Sequence, residues 1–393
     1  MNHIHTPLQK MFRGGLMLLT IISILGVDFI IFPRRFAKCE TFGFSVMDAG
    51  IGLFVIAQGI VSPVVRHQSS ATSEHNLPSW RVFVKMFTDV FPFVDYQLHV
   101  SEYGVHWNFF FTMCLLSLQS TIVHHFIVFP FQRWYPNKSS HLYLIIAILI
   151  GAFYQLLLST PILSYFYILP SLHSQHSSLS FQYNTLWSST TSQHYNLRSM
   201  AQIHGIHDLT DYILYYPRTS SSSLINLNRE GLFSCIGFAS IYYLGCWLGV
   251  HFHRRRTTKG ELFSLMTWLL FTCLAFSACT FVAHNWVQDI SRRLCNLTFI
   301  FWIVLITNWT IFLSLLSSFL LCFEPLTLLA NVINYNQMGI FLFANILTGL
   351  INLFLKTLLA TPFVAYSIVG CYALICCVVF VVLYQYQIRL KFW

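Results

Sequence analysis

Charge is scarce in this chain: Asp, Glu, Lys and Arg together make up 9% of it, against about 25% in an ordinary soluble domain. With 56% of its residues hydrophobic, so polar-poor a chain has no way to hide its apolar surface in a soluble core of normal proportions, and a water-soluble fold is excluded. Metal-ligand spacing is missing too. There is no CxxC pair, the 17 His are scattered, and most of the 11 Cys lie inside apolar runs, as Cys114, Cys235, Cys246, Cys273, Cys279, Cys371, Cys376 and Cys377 do. These thiols read as reduced packing residues, and neither a disulfide framework nor a catalytic metal is expected. No basic patch is interleaved with the 38 Phe and 19 Tyr in a soluble stretch, so no nucleic-acid partner is expected, and the net charge of +9 points to loop topology and anionic lipid headgroups. No cleavable signal sequence and no internal repeat is recognisable.

What the chain does have is long apolar runs. They fall near 15–32, 45–65, 104–125, 142–160, 231–250, 261–283, 297–322, 337–355 and 366–388, each near the ~20 residues that cross a hydrocarbon layer. An all-α polytopic membrane protein follows. Residues 82–95 are shorter and carry Lys85, Asp89 and Pro92, so periodicity alone also allows a surface helix there. The Ser-, His- and Thr-rich stretch 169–207 reads as a mobile loop within a single membrane-embedded domain spanning 1–393.

Against that background the few charges stand out. Asp28 lies in an apolar run, with Pro33 ending the predicted helix and Arg34, Arg35 and Lys38 just beyond it. On insertion scales an Asp near a membrane-helix centre costs roughly 2.5 to 3.5 kcal/mol, so its presence signals either function or a structural ion pair. Glu102, His106, Trp107 and Asn108 cluster before another apolar run. His106 is read as interfacial, and Glu102, Trp107 and Asn108 as shaping a headgroup site. Asn228 and Arg229 precede a further run; Arg229 either pairs with Glu230 or holds a phosphate. Arg292 and Arg293 either hold lipid or coenzyme A phosphates or anchor the interface. Asp48 reads as a helix N-cap, and Asn345 and Asn352, seven apart, as interhelical hydrogen-bonding residues.

The run Ile24 to Lys38, followed by Ser45-Val-Met-Asp48-Ala-Gly50-Ile-Gly52, resembles the signature of the glucosaminyl-phosphatidylinositol acyltransferases, which acylate inositol during glycosylphosphatidylinositol (GPI) anchor synthesis. The resemblance continues in family order through Glu102-Tyr-Gly-Val-His106-Trp-Asn108, Asp211-Tyr-Ile-Leu214, Asn228-Arg-Glu-Gly231, Ser291-Arg-Arg-Leu294 and Asn345 to Asn352, and so covers essentially the whole chain. It implies about ten transmembrane helices, with 82–95 as the tenth, in the endoplasmic reticulum membrane. It implies transfer of a long-chain acyl group from acyl-CoA, such as palmitoyl-CoA, to the inositol 2-hydroxyl of glucosaminyl-phosphatidylinositol, with no permanently bound cofactor. Asp28 then matches the family's base and Lys38 its partner for the thioester carbonyl. The remaining cluster residues, Arg34, Arg35, Glu102, His106, Trp107, Asn108, Asn228, Arg229, Arg292 and Arg293, are the candidate substrate-binding residues, by the chemistry of their side chains.

Ile30, Cys39 and Lys356 depart from the family pattern, and relatives carry further membrane segments before the Asp28 motif. The rival readings are a transporter using Asp28 and Lys38 as a relay and an inactive truncated relative. Ten spans alternate the loops so that the motifs share one face, opposite the Arg254-Arg255-Arg256 cluster, which basic-residue bias places in the cytosol.

Overall fold

Each of the nine apolar runs contributes a helix. In a computed structural model the described residues are 5–62, 65, 100–135, 139–159, 208–215, 224–253, 258–321 and 328–390, and among them there are helices and no strand. In chain order they are α1 (His5–Gly26), α2 (Val46–Ile60), α3 (Val100–Tyr103), α4 (Phe109–Val123), α5 (Phe129–Trp134), α6 (Ser139–Ser159), α7 (Leu209–Tyr215), α8 (Leu224–Leu227), α9 (Arg229–His253), α10 (Lys259–Trp286), α11 (Leu297–Leu321), α12 (Leu328–Tyr335), α13 (Gln337–Phe354) and α14 (Pro362–Gln385). Seven stretches are long and apolar enough to cross a membrane: Phe109–Trp134, Ser140–Ser159, Arg229–His253, Gly260–Trp286, Leu297–Leu320, Gln337–Phe354 and Pro362–Gln385. Helix α2 is apolar but only 15 residues long, and α1 has 22 residues with Lys10 and Arg13 in its first half. The expected tenth span at 82–95, the 169–207 loop and the Arg254 cluster lie outside the described residues.

Two helix ends differ from the sequence reading. Helix α1 stops at Gly26, so Asp28 sits in the turn beyond it, with the Asp28 N–H bonded to the Leu25 carbonyl. The residues after Gly26 stay apolar, which is why a hydropathy run overshoots the helix. At α2 the N-cap is Ser45, whose hydroxyl accepts from the Asp48 N–H at 3.1 Å; Asp48 lies one turn in, where the helix dipole favours an anion. Between α4 and α5 the helix widens into a π turn, His124–Val128. Pro130 follows at once; it has no N–H to give and its ring crowds the preceding turn, and the extra residue relieves that clash.

Helix α9 is the buried centre, with residues such as Phe238, Leu244 and Leu248 almost wholly enclosed. It meets α2 through glycines. A Cβ at Gly245 would lie 2.4 Å from the Ile56 carbonyl oxygen, and one at Gly249 2.6 Å from that of Ile60. Small residues four apart let the two backbones approach where larger side chains would hold them off. Apolar packing divides into two main clusters. One joins α2, α4, α6, α9, α10 and α11 through residues such as Ile56, Leu116, Ala147, Leu244, Leu269 and Ile303. The other joins α12, α13 and α14 through Ile333, Ala344 and Tyr372. Helix α1 lies between them: Phe12 and Leu16 belong to the first cluster, Met17, Ile21 and Leu25 to the second.

Contacts identify the two ends of the bundle. At one, Gln9 meets His253, His253 meets the Ile60 carbonyl, Ser140 meets His251, and Tyr335 meets the Gln387 carbonyl. At the other, the segments after α1, before α2, around α3, before α9 and between α10 and α11 converge. All the described charged motifs are at this second end.

Candidate active site at the motif end

The site is built on a loop held against another loop. The Gly43 N–H donates to the Ile290 carbonyl at 2.7 Å, the Ser291 hydroxyl to the Thr41 carbonyl at 2.6 Å, and Arg293 Nη1 to the Glu40 carbonyl at 2.9 Å. Gly43 has φ +125° and would place a Cβ 2.9 Å from Cys39 Sγ, so this corner requires glycine. These bonds fix the segment after Lys38 to the 287–296 loop. Asn296, fully buried, organises that loop in turn: its Oδ1 accepts from the Ser291 and Phe299 N–H groups while its Nδ2 donates to the Asp289 carbonyl and Gln288 Oε1.

Four charges form a chain from the interior to the surface. Asp48, 0% exposed, accepts from Arg292 Nε at 2.8 Å and from the Cys39 N–H on both carboxylate oxygens at 3.2 Å. Arg292 Nη2 lies 3.8 Å from Glu102 Oε1, which also receives Lys38 Nζ at 2.6 Å. Lys38 is 41% exposed at the outer end of the chain. The neighbouring thiol and phenol follow from the same burial. Desolvation, reinforced by Asp48, pushes the Cys39 thiol up to about 11, and desolvation pushes the Tyr103 phenol above its ordinary range against the pull of Arg292. A second cluster is wholly internal. Glu230, 0% exposed, receives Arg293 Nη2 at 3.1 Å and has Arg229 Nε at 3.8 Å. Arg229 also donates to the Ile213 carbonyl and to Asn226 Oδ1, and stacks over Tyr212.

Asp28 has a different partner from the one the sequence suggested. Its Oδ2 accepts from Asn352 Nδ2, near the end of α13, at 2.7 Å. Among the described ion pairs, Lys38 is joined to Glu102 and none joins it to Asp28. Asn345 bonds the Phe341 carbonyl of its own helix, so of the two asparagines only Asn352 reaches a group outside α13 through its described bonds. Around Asp28, Arg34 reaches back to the Val27 carbonyl at 3.2 Å and Arg35 lies over the Phe36 ring, both exposed.

Several residues read as substrate contacts hold the fold in place. Trp107 covers Gly231, where a Cβ would meet the indole at 2.3 Å, and donates to Thr112. Asn108 caps α4 through the Phe111 N–H, and Asn228 Oδ1 accepts from the His106 N–H while its amide donates to the Leu224 carbonyl. Arg229, Arg292 and Arg293 are buried against carboxylates, so the pairing alternative describes Arg229, and neither Arg292 nor Arg293 presents an open guanidinium for a phosphate. The His106 side chain is exposed. Among the described residues no His, Cys, Asp and Glu cluster could hold a metal ion. All ten described cysteines are free.

The sequence pattern of the GWT1 family matches residues 2–181 and 201–383. The chain belongs to the GWT1 family. Relatives by sequence include a protein of Arabidopsis thaliana, 32% identical over 97% of this chain and 74% of its own length. The GPI-anchored wall transfer protein 1 of Yarrowia lipolytica is 30% identical over 98% of this chain and 74% of its own. The human glucosaminyl-phosphatidylinositol-acyltransferase PIGW is 28% identical over 99% and 75%. Family membership therefore spans both clusters of charges and both sides of α1.

Proposed function

We propose that this multi-pass membrane protein is an acyltransferase of GPI-anchor biosynthesis that acylates the inositol of glucosaminyl-phosphatidylinositol, the donor being a long-chain acyl-CoA such as palmitoyl-CoA and the acceptor the inositol 2-hydroxyl. Its setting is the endoplasmic reticulum membrane. The observation that carries the reading is Asp28: a carboxylate just past the end of an apolar helix, with one oxygen held by Asn352 and the other directed to no described partner, in a chain of this family.

The chemistry needs a base, a stabiliser for the developing oxyanion and exclusion of water. Asp28 accepts the proton of the attacking hydroxyl as the new C–O bond forms. The C–S bond of the thioester breaks, and coenzyme A leaves as the thiol on taking up that proton. Lys38 spends one of its three ammonium N–H donors on Glu102 and offers the others to the thioester carbonyl. Arg34, Arg35 and His106, exposed at the same end of the bundle, are then available to the acceptor's phosphate and sugar.

Membranes containing the protein, given labelled palmitoyl-CoA and glucosaminyl-phosphatidylinositol, should form acylated product. Asp28→Asn, which keeps size and hydrogen bonding, should lose at least about 10²-fold in rate while still inserting. Near-normal product from that variant would remove Asp28 as base, and no product from the parent protein would remove the reaction.

A further inference from the structure

We infer that Asp48 and Arg292 are positioning residues that fix Lys38, acting on its ammonium through Glu102 and on its backbone through Cys39. The inference rests on the reading of Lys38 as a catalytic cation.

Two separate routes lead from one buried carboxylate to the same lysine. Along the side-chain route, Asp48 Oδ1 holds Arg292 Nε at 2.8 Å, Arg292 Nη2 stands 3.8 Å from Glu102 Oε1, and that oxygen holds Lys38 Nζ at 2.6 Å. Along the backbone route, both oxygens of Asp48 receive the N–H of Cys39, the residue bonded to Lys38. The inner members are rigid by burial: Asp48 is 0% and Arg292 4% exposed. Lys38 is the flexible member, on a four-carbon stem, and left alone it would sample many rotamers at a cost of about 2 kcal/mol to order. The alternation of charges, carboxylate to guanidinium to carboxylate to ammonium, orders it before substrate arrives. A lone Asp48–Arg292 pair would need neither Glu102 nor a contact with the Lys38 segment.

The predicted signature is a fall in kcat with little change in KM, because the reacting groups are misplaced and the acceptor contacts remain. A displacement of about 1 Å is enough to cost about 10²-fold. Glu102→Ala, Glu102→Gln, Arg292→Lys and Lys38→Ala should be compared in the full-length protein in membranes, with thermal stability measured for each. Glu102→Ala should lower kcat about 10- to 100-fold at an acceptor KM within about threefold of the parent, and Glu102→Gln should recover most of the loss because its amide oxygen still accepts from Lys38. Arg292→Lys keeps a cation against Asp48 but cannot span two carboxylates, so it should remain folded and lose kcat. The inference is overturned if Glu102→Ala keeps its kcat, or if it raises acceptor KM alone, which would make Glu102 a direct substrate ligand. If Lys38→Ala acylates normally, the catalytic reading of Lys38 fails; a loss of kcat in Glu102→Ala would then not act through Lys38, and the positioning inference would fall as well.

Discussion

Asp48 is a buried carboxylate opposite a buried guanidinium, and the stability of this end of the bundle depends on keeping both. Removing one partner of such a pair leaves the other charged and desolvated, which typically costs about 3 to 5 kcal/mol. Asp48→Ala should therefore lower the melting temperature of the detergent-solubilised protein sharply. Asp289→Ala, which removes an exposed carboxylate 3.3 Å from an exposed His284, should cost under about 1 kcal/mol. Equal shifts for the two variants would show that burial is not what makes the Asp48 pair matter. At this scale the sequence marks which residues are unusual and is silent on their partners. Asp28, Lys38, Glu102 and Arg292 stand out because charge is expensive in an apolar chain. The bonds that give them meaning join residues 64, 244 and 324 positions apart, and no local pattern reports on those separations. Asp48 looked like a cap because its neighbour Ser45, the true cap, has the same signature three residues earlier.

Helices are held together in this bundle by close backbone approach as much as by side-chain volume. Gly245 faces the Ile56 carbonyl with no room for a Cβ, whereas Gly370 on α14 has nothing within 4 Å. Gly245→Val should separate α2 from α9 and cost about 1 to 3 kcal/mol or more, read as a loss of thermal stability. Gly370→Ala should leave stability unchanged, and a comparable loss there would point to glycine acting through helix flexibility. The helices themselves were legible because each apolar run matches a membrane's thickness. Their ends were less so: hydropathy counts what lies in apolar surroundings and cannot tell a helix from the turn that follows it, as the residues after Gly26 illustrate.

For the molecule as a whole, the described contacts gather the charged motifs at one end of the bundle, while the ten-span alternation that put them on one membrane face in the sequence reading rests on 82–95 and is read against the Arg254 cluster, both outside the described residues. A cysteine introduced at Glu40, in a background without other reactive thiols, should be labelled by a membrane-impermeant reagent from the side opposite to one introduced at Thr258. Labelling of both from one side would mean that the two positions share a face. What parity could not foresee is how Asp28 and Lys38 are tied down. Asp28 is fastened through Asn352 to α13, in the cluster formed with α12 and α14, while Lys38 is fastened through Glu102 and Arg292 to α3 and the 287–296 loop. The proposed base and the proposed cation are thus held by different parts of the bundle, and among the described residues only Gly339, Ile340, Ala344 and Thr348 of α13 and Ala365, Tyr372, Cys376 and Phe380 of α14 are buried. On the proposed reading the separation of Asp28 and Lys38 is set by two parts of the bundle, so a bilayer thickness that shifts one part against the other should change the rate as a substitution in the site would, without touching a single reacting atom.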